Sequence, residues 1–274
     1  MKNTIHMLDA VTGTQMNSFI ITTADGKVIV IDGGYDQDAA KLVGYLKELT
    51  GADVPHVDAW ILSHPHMDHI SAFLQIMETM PGAVTVDHVY YNFPSIQYIT
   101  RLQSWFDPCL ERFYKDLPLF ADKIVIVTMG DTFEVGDAHF ECLYSPNPEL
   151  TMNVTNNASL VLKMTLGGKT VMWLGDCGVE EGDRMLALYN GTDKMKCDYV
   201  QMAHHGQNGV EKCVYEAIAP VGCFWNTPKW LWDNDAGLGY NTHGWKTIEV
   251  QGWMADLGVQ EHYVIMNGDQ VVEL

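Results

Sequence analysis

The sequence predicts an α/β protein built from two β-sheets packed face to face, with helices on the outside. Three observations lead there. Short apolar runs bounded by glycine, asparagine and aspartate turns recur along the chain, as strands do. They fall into two series, each closed by segments of helical spacing, an order that suits a sheet-on-sheet core with helical outer layers. Residues with metal-binding chemistry stand where several of these runs end, so the strand ends of both series could meet along one edge and frame a concave site.

Taken in order, residues 3–31 read as a hairpin: a strand over 19–23, a turn at Ala24-Asp25-Gly26-Lys27, and a strand over 28–31 that runs into Asp32-Gly33-Gly34. Leu42, Val43, Leu46 and Leu49 share one face of a helix over 41–49. Ala59-Trp60-Ile61-Leu62 is a buried strand, and Ile70, Phe73, Leu74 and Met77 give helical spacing over 70–80. A strand over 84–91 follows. Residues 95–121 read as a helical insertion rich in aromatics, a lid packed by its own apolar side. Strands are expected over 124–128, 132–135 and 138–144, where His139, like His88 before it, reads as an ordinary strand residue. A polar segment runs from Ser145-Pro146 to Asn156-Asn157. Strands over 160–166 and 170–174 come next, the second ending in Gly175-Asp176. A helix over 183–189 and a strand over 199–203 lead to His204-His205-Gly206, and a last strand pair turns at Asn267-Gly268-Asp269. With no short-period repeat and no linker, the expectation is one domain over 1–274.

The strongest chemical signal is Ser63-His64-Pro65-His66-Met67-Asp68-His69, on the turn from a buried strand into a helix. Four metal-capable side chains fall within six positions. In an extended turn, residues two apart point the same way, so His64 and His66 can close on one ion. Asp68 and His69 lie at the helix start, where neighbours diverge by roughly 100°, and are better placed for a second ion beside the first. Imidazole with carboxylate suits zinc, manganese or iron. A helix cap needs one such residue, not four.

Composition narrows the function classes. The chain is 47% hydrophobic, enough for a sizeable core, and no apolar run approaches a membrane span. Residues 1–6 lack the apolar core of a signal peptide, and the six cysteines are scattered without a C-x-x-C pair. Both point to reduced thiols in a cytoplasm. Thirty-five acidic against 16 basic residues give a net charge of −19, and two divalent ions would still leave about −15. Such a field repels polyanions, which disfavours nucleic acid as a partner and favours a small molecule.

Together these residues resemble the metallo-β-lactamase fold superfamily, through its H-x-H-x-D-H signature at His64, His66, Asp68 and His69, with aspartates at Asp32 and Asp176 and late histidines. The motif order is most similar to the hydrolase domain of the competence protein ComEC and its free-standing relatives, by Ile5-His6-Met7-Leu8-Asp9, Asn156-Asn157-Ala158-Ser159, Leu174-Gly175-Asp176 and His204-His205-Gly206. The resemblance implies a four-layer αββα sandwich with two divalent ions, zinc first and manganese or iron as alternatives. His64 and His66 would hold metal 1, Asp68 and His69 metal 2, with Asp176 bridging and either His204 or His205 completing metal 2. Asp32 would orient a ligand from behind. His243 resembles a late position near the substrate, where it and Asp68 would take catalytic roles; a plain loop histidine is the equal alternative.

Two departures stand out. The third metal-1 histidine of the best-known members is replaced here by Asn156-Asn157, so an amide, such as that of Asn157, or water would fill the place. The first loop, Val11-Thr12-Gly13-Thr14-Gln15, is longer than the ComEC-like turn and lacks its acidic residue. The implied activity is hydrolysis of a small phosphoester. The alternatives are a lactonase or β-lactamase acting on a carbonyl, an iron-dependent oxidoreductase of the same fold, and a non-catalytic binding protein. Trp225, Trp230, Trp232 and Trp245 could wall the substrate, or belong to the core. From the charge alone, the protein is expected not to bind duplex DNA at physiological salt. Tight binding that weakens steeply with added salt, read by fluorescence anisotropy, would reveal a basic face and contradict this.

Overall fold

The computed structural model describes all residues 1–274. In chain order its strands are β1 (Thr4–Met7), β2 (Ser18–Thr22), β3 (Val28–Asp32), β4 (His56–Ile61), β5 (Thr85–Tyr91), β6 (Ile124–Ile126), β7 (Thr132–Val135), β8 (Ala138–Tyr144), β9 (Val161–Leu166), β10 (Lys169–Trp173), β11 (Tyr199–Gln201), β12 (Gly222–Trp225), β13 (Glu261–Val264) and β14 (Gln270–Glu273). The helices are α1 (Ala39–Thr50), α2 (Met67–Thr79), α3 (Ile96–Leu102), α4 (Cys109–Asp116), α5 (Val179–Tyr189), α6 (Lys212–Ile218), α7 (Lys229–Trp232) and α8 (Thr247–Asp256). The strands form two seven-stranded sheets, in the orders β14-β1-β2-β3-β4-β5-β6 and β13-β12-β11-β10-β9-β8-β7.

Alternation assigns the faces. In β2 every residue is buried, because Phe19 and Ile21 face the second sheet while Ile20 faces the helices. Strands covered on both sides read as unbroken apolar runs, which is why β2, β3 and β4 are so legible in the sequence. Between the sheets, Phe19, Ile31 and Ile61 meet Phe140, Leu162, Trp173 and Phe224. Phe133 stacks on Tyr90 and on Phe140 with ring centroids 4.3 and 4.9 Å apart, tying the two sheets at one side. The αββα sandwich expected from the sequence is the observed fold.

Each sheet is antiparallel at one side and parallel at the other. Strands β3 to β6 run parallel, and so do β10 to β13. In parallel segments all carboxyl ends open on the same edge, where ligands bind. Asp32, the 63–69 turn, Gly175-Asp176 and His204-His205 all follow strands of these two segments.

The insertion is no free-standing lid. Its α4 lies on α2, and Phe113, fully buried, meets Tyr91, Phe93 and Phe120 with centroids 4.7, 4.8 and 5.6 Å away. On the surface of the same joint, the Arg112 guanidinium reaches Glu78 and Asp36, each at 2.6 Å.

The expected final strand pair does not exist. β13 lies beside β12 in the second sheet and β14 beside β1 in the first, so the turn at 267–269 carries the chain from one sheet to the other. Strand β12 is absent from the sequence reading because Gly-Cys-Phe-Trp is buried on both faces and too short to show a period. No helix is long and apolar enough to cross a membrane. All six cysteines are free, and Cys213 alone is exposed. Phe113→Ala is expected to cost about 3–5 kcal/mol, as loss of a buried aromatic does, seen as a lower urea midpoint. An unchanged midpoint would mean that the insertion is not part of the core.

Candidate metal centre

The site is built on the backbone before any side chain reaches it. At the end of β3, Asp32 takes a left-handed conformation (φ 56°), turning its carboxylate back under the strand ends. Fully buried, it accepts from the Ser63 amide at 2.7 Å, the Ser63 hydroxyl at 2.6 Å, the Asn17 amide nitrogen at 2.7 Å and His69 Nδ1 at 2.7 Å. Four donors leave its charge well satisfied. The bond to Nδ1 fixes the His69 ring and sends Nε2 into the cavity, the role of an orienting carboxylate behind a ligand.

On the other sheet, Gly175 places Asp176. Its φ of 54° is in the left-handed region, and a Cβ there would stand 2.9 Å from Ser159 Oγ, so glycine is required twice over. Gln201, buried at the end of β11, accepts from the Leu174 and Gly175 amides at 2.9 and 2.7 Å and donates to the Gly175 and Met202 carbonyls at 3.1 and 2.7 Å. Ser159 Oγ accepts from the Asp176 amide at 2.9 Å. Ser63, Ser159 and Gln201 are thus positioning residues that the sequence reading passed over. Single polar residues carry no periodic signal; only their place beside the motif residues could have drawn notice.

His204 and His205 are consecutive left-handed residues, φ 51° and 57°. Non-glycine residues pay for that conformation, and such outliers cluster at functional sites. The turn is held by His204 N–H on the Gly175 carbonyl at 3.0 Å and by Thr227 Oγ on the His205 carbonyl at 2.6 Å. Its effect is to aim the two rings at different atoms of one carboxylate.

The side chains form two groups of potential ligands, His64, His66 and Asp176 in one, Asp68, His69 and His205 in the other. Asp176 joins them with one oxygen for each. Its Oδ2 lies 3.5 Å from His64 Nε2 and 3.7 Å from His204 Nε2, and its Oδ1 lies 3.1 Å from His69 Nε2 and 3.6 Å from His205 Nε2. Asp68 Oδ2 is 3.2 Å from His205 Nε2, and His64 Nε2 is 3.0 Å from His66 Nδ1. His205, not His204, therefore stands with Asp68 and His69. His204 lies on the metal-1 side of Asp176, outside the tight group, and is partly exposed.

These residues fit a metal pair. His69 Nε2, His205 Nε2 and Asp176 Oδ1 are buried without a hydrogen-bond partner, and they point at one another. Orphaned donor atoms of this kind are costly unless a cation gathers them. Electrostatics agree. Burial pushes His64 well below its ordinary value, helped by the charge of His69, and burial lowers His66 too, which favours in both the neutral ring that a metal needs. Burial works against the charge on Asp68, yet His205 and His69 hold its carboxyl down at about 2. Asp176 is held well below the carboxylate range by His69 and His205 despite its burial.

A family model described as the metallo-beta-lactamase superfamily matches residues 11–146, the part that carries the 63–69 turn. That part of the chain matches the metallo-β-lactamase superfamily, and the chain as a whole has the metallo-β-lactamase fold. No curated protein matches the sequence. Among solved structures, the metallo-β-lactamase-fold protein YhfI from Bacillus subtilis is similar at 13% identity and TM-score 0.56, over 99% of this chain and 100% of that one. CmlA, a diiron β-hydroxylase from Streptomyces venezuelae, is similar at 12% identity and TM-score 0.60, over 100% of this chain and 54% of CmlA, so the chain spans about half of its length. A diphosphatase from the PhnP family is similar at 13% identity and TM-score 0.51, over 100% and 98%. At these identities the likeness is one of fold.

Within the site three expectations change. The Asn157 amide does not face the ligands: Nδ2 donates to the Met152 carbonyl at 2.7 Å and Oδ1 accepts from the Glu181 amide at 3.0 Å, holding the first turn of α5. His243 stacks on Trp245 at 3.7 Å, beside Trp230, and no hydrogen bond or ion pair links it to either ligand group. The tryptophans form no single wall, since Trp225 is fully buried against Trp232 while Trp230 and Trp245 make a separate patch.

With Asn157 removed, the metal-1 group has two imidazoles and half a shared carboxylate, against two imidazoles, a carboxylate and the other half for metal 2. Zinc titration of metal-stripped protein is expected to fill two unequal sites, metal 2 first. His64→Ala should empty mainly the weaker site and Asp176→Asn should weaken both. Asp32→Ala should lower metal-2 affinity about 10–100-fold. Two equal tight sites, or loss of one ion only in Asp176→Asn, would refute the assignment.

Proposed function

We propose that the protein is a hydrolase that uses two divalent metal ions, zinc in the first instance, on a small phosphoester. The observation that carries this is Asp176, a buried carboxylate presenting one oxygen to each of two imidazole-rich groups. When bound, two such ions lower the pKa of water toward neutrality and offset charge on the substrate oxygen. The chain's own residues do the rest. Asp68, ionised at neutral pH, can orient water and accept its proton. His204 donates Nδ1–H to the Asn208 carbonyl at 3.2 Å, which turns Nε2 toward Asp176 and the opening, so we assign it, in place of His243, to the leaving-group proton.

The phosphoester is favoured by the ComEC-like order of the motifs, and a solved structure of similar fold is named a diphosphatase. The charge of −19 favours a small substrate over nucleic acid, and six free thiols suit a reducing cytoplasm. A second reading rests on CmlA, which has this fold and is named a diiron hydroxylase: the same imidazole and carboxylate donors suit iron.

Metal analysis of the purified protein, with a screen of phosphodiesters, phosphomonoesters, lactones and β-lactams, tests the proposal. Phosphoester turnover that is abolished by chelation and restored by zinc is the expected result. His204→Gln should lower kcat about 10²–10⁴-fold on a substrate with a poor leaving group, and much less on an activated aryl ester. Native iron with substrate-dependent oxygen uptake would replace this reading with the oxidoreductase. Turnover of lactones or β-lactams alone would move it to carbonyl substrates.

A further inference from the structure

The loop between α3 and α4 is fastened at both ends, beside the metal-1 group. At its start, Gln103 Oε1 accepts from the Val154 amide at 3.0 Å, while Nε2 donates to Thr155 Oγ at 2.9 Å and to the Trp105 carbonyl at 2.8 Å. At its end, Asp107 is 3% exposed. Its Oδ2 accepts from the Met67 amide at 2.9 Å and its Oδ1 from the Cys109 amide at 2.8 Å. Met67 stands between two candidate ligands, His66 and Asp68, and its amide is one of the free donors of a helix start. The insertion is therefore bonded directly to the ligand turn.

Between these fastenings stands Trp105. Its ring centroid lies 6.1 Å from that of His66, tilted by 45°, and yet the residue is 60% exposed. Tryptophan is highly buried on average, whereas this ring stands beside a ligand and is left largely open to solvent. Met67, 40% exposed, lies next in the chain to the same histidine. Phe113 and its neighbours root the insertion in the core, so the loop's position is set from beneath as well.

We propose that Trp105 is a stacking platform that selects substrates carrying a planar ring, aryl or nucleobase, next to the group hydrolysed at the metal pair. This rests on the hydrolase reading above. A ring attached to the bound group can lie against the exposed indole in the offset or edge-on geometries that aromatic pairs favour. Because the indole touches the side of the substrate and not the reacting atoms, it acts as a specificity determinant through binding.

Calorimetric titration of the zinc-loaded protein with phenylphosphonate and methylphosphonate tests this without turnover. The wild type is expected to bind the phenyl compound about tenfold more tightly than the methyl one. Trp105→Ala should bring that ratio close to one at unchanged zinc content, and Trp105→Phe should restore most of it. The phosphonate analogues of adenosine 5′-monophosphate and ribose 5-phosphate, in which a methylene replaces the ester oxygen, ask the same question of a nucleobase and separate the two ring sources. Equal binding of phenyl and methyl compounds by the wild type, or a ratio that survives Trp105→Ala, would overturn the platform and leave the hydrolase standing. Failure of every phosphorus compound to bind the wild type would overturn the phosphoester reading and the platform with it.

Discussion

Everything at this site depends on the carboxylate of Asp176. It is almost wholly withdrawn from water, and its two oxygens face two separate sets of imidazoles. A buried carboxylate is costly unless it is paired, and the pairing here is possible only if three ligand-bearing turns, with the Asp32 turn behind them, arrive within a few ångströms of one another. The architecture supplies that. Two sheets place the carboxyl ends of β3, β4, β10 and β11 on one edge, and the inter-sheet packing of Phe19, Trp173 and Phe224 sets the distance between them.

The same demand accounts for the strained backbone. Asp32, His204 and His205 all have φ near 55°, a conformation that costs non-glycine residues free energy. The strain turns the two histidines toward Asp176 and the Asp32 carboxylate back behind His69. The surroundings hold it there: four donors on Asp32, and hydrogen bonds to the backbone on both sides of the histidine pair. Ser63, Ser159 and Gln201 complete the frame by satisfying the polar groups of the turns themselves, so the ligands are aimed by residues that have no metal chemistry of their own.

The insertion adds something different in kind. It leaves the sandwich intact and packs outside it on α2, but through Asp107 it is bonded to the ligand turn. A chain of contacts thus runs from the aromatic cluster around Phe113, through Asp107 and Met67, to His66. The fold of the scaffold is shared with solved structures only 12–13% identical.

Much of this was legible in the sequence, and the reasons are local. Strands buried on both faces show as apolar runs, helices as 3.6-residue spacing, and His64, His66, Asp68 and His69 lie so close together that their chemistry is visible without a fold. Asp32 and Asp176 were marked by their places at strand ends. What depends on contacts between distant segments was not legible. Asn157 looked like a ligand because it stands in the right order along the chain, but its amide is taken by Met152 and Glu181. The neighbours His204 and His205 became distinguishable only when two left-handed residues aimed them at different oxygens of Asp176. His243 was drawn away by Trp245, and β13 and β14 were parted between the sheets because hydrogen-bonding partners, unlike periodicity, lie far off in sequence. Residue type and spacing determined which chemistry this chain can carry; the direction of each side chain was decided by tertiary packing, since direction depends on backbone dihedrals that the rest of the structure imposes.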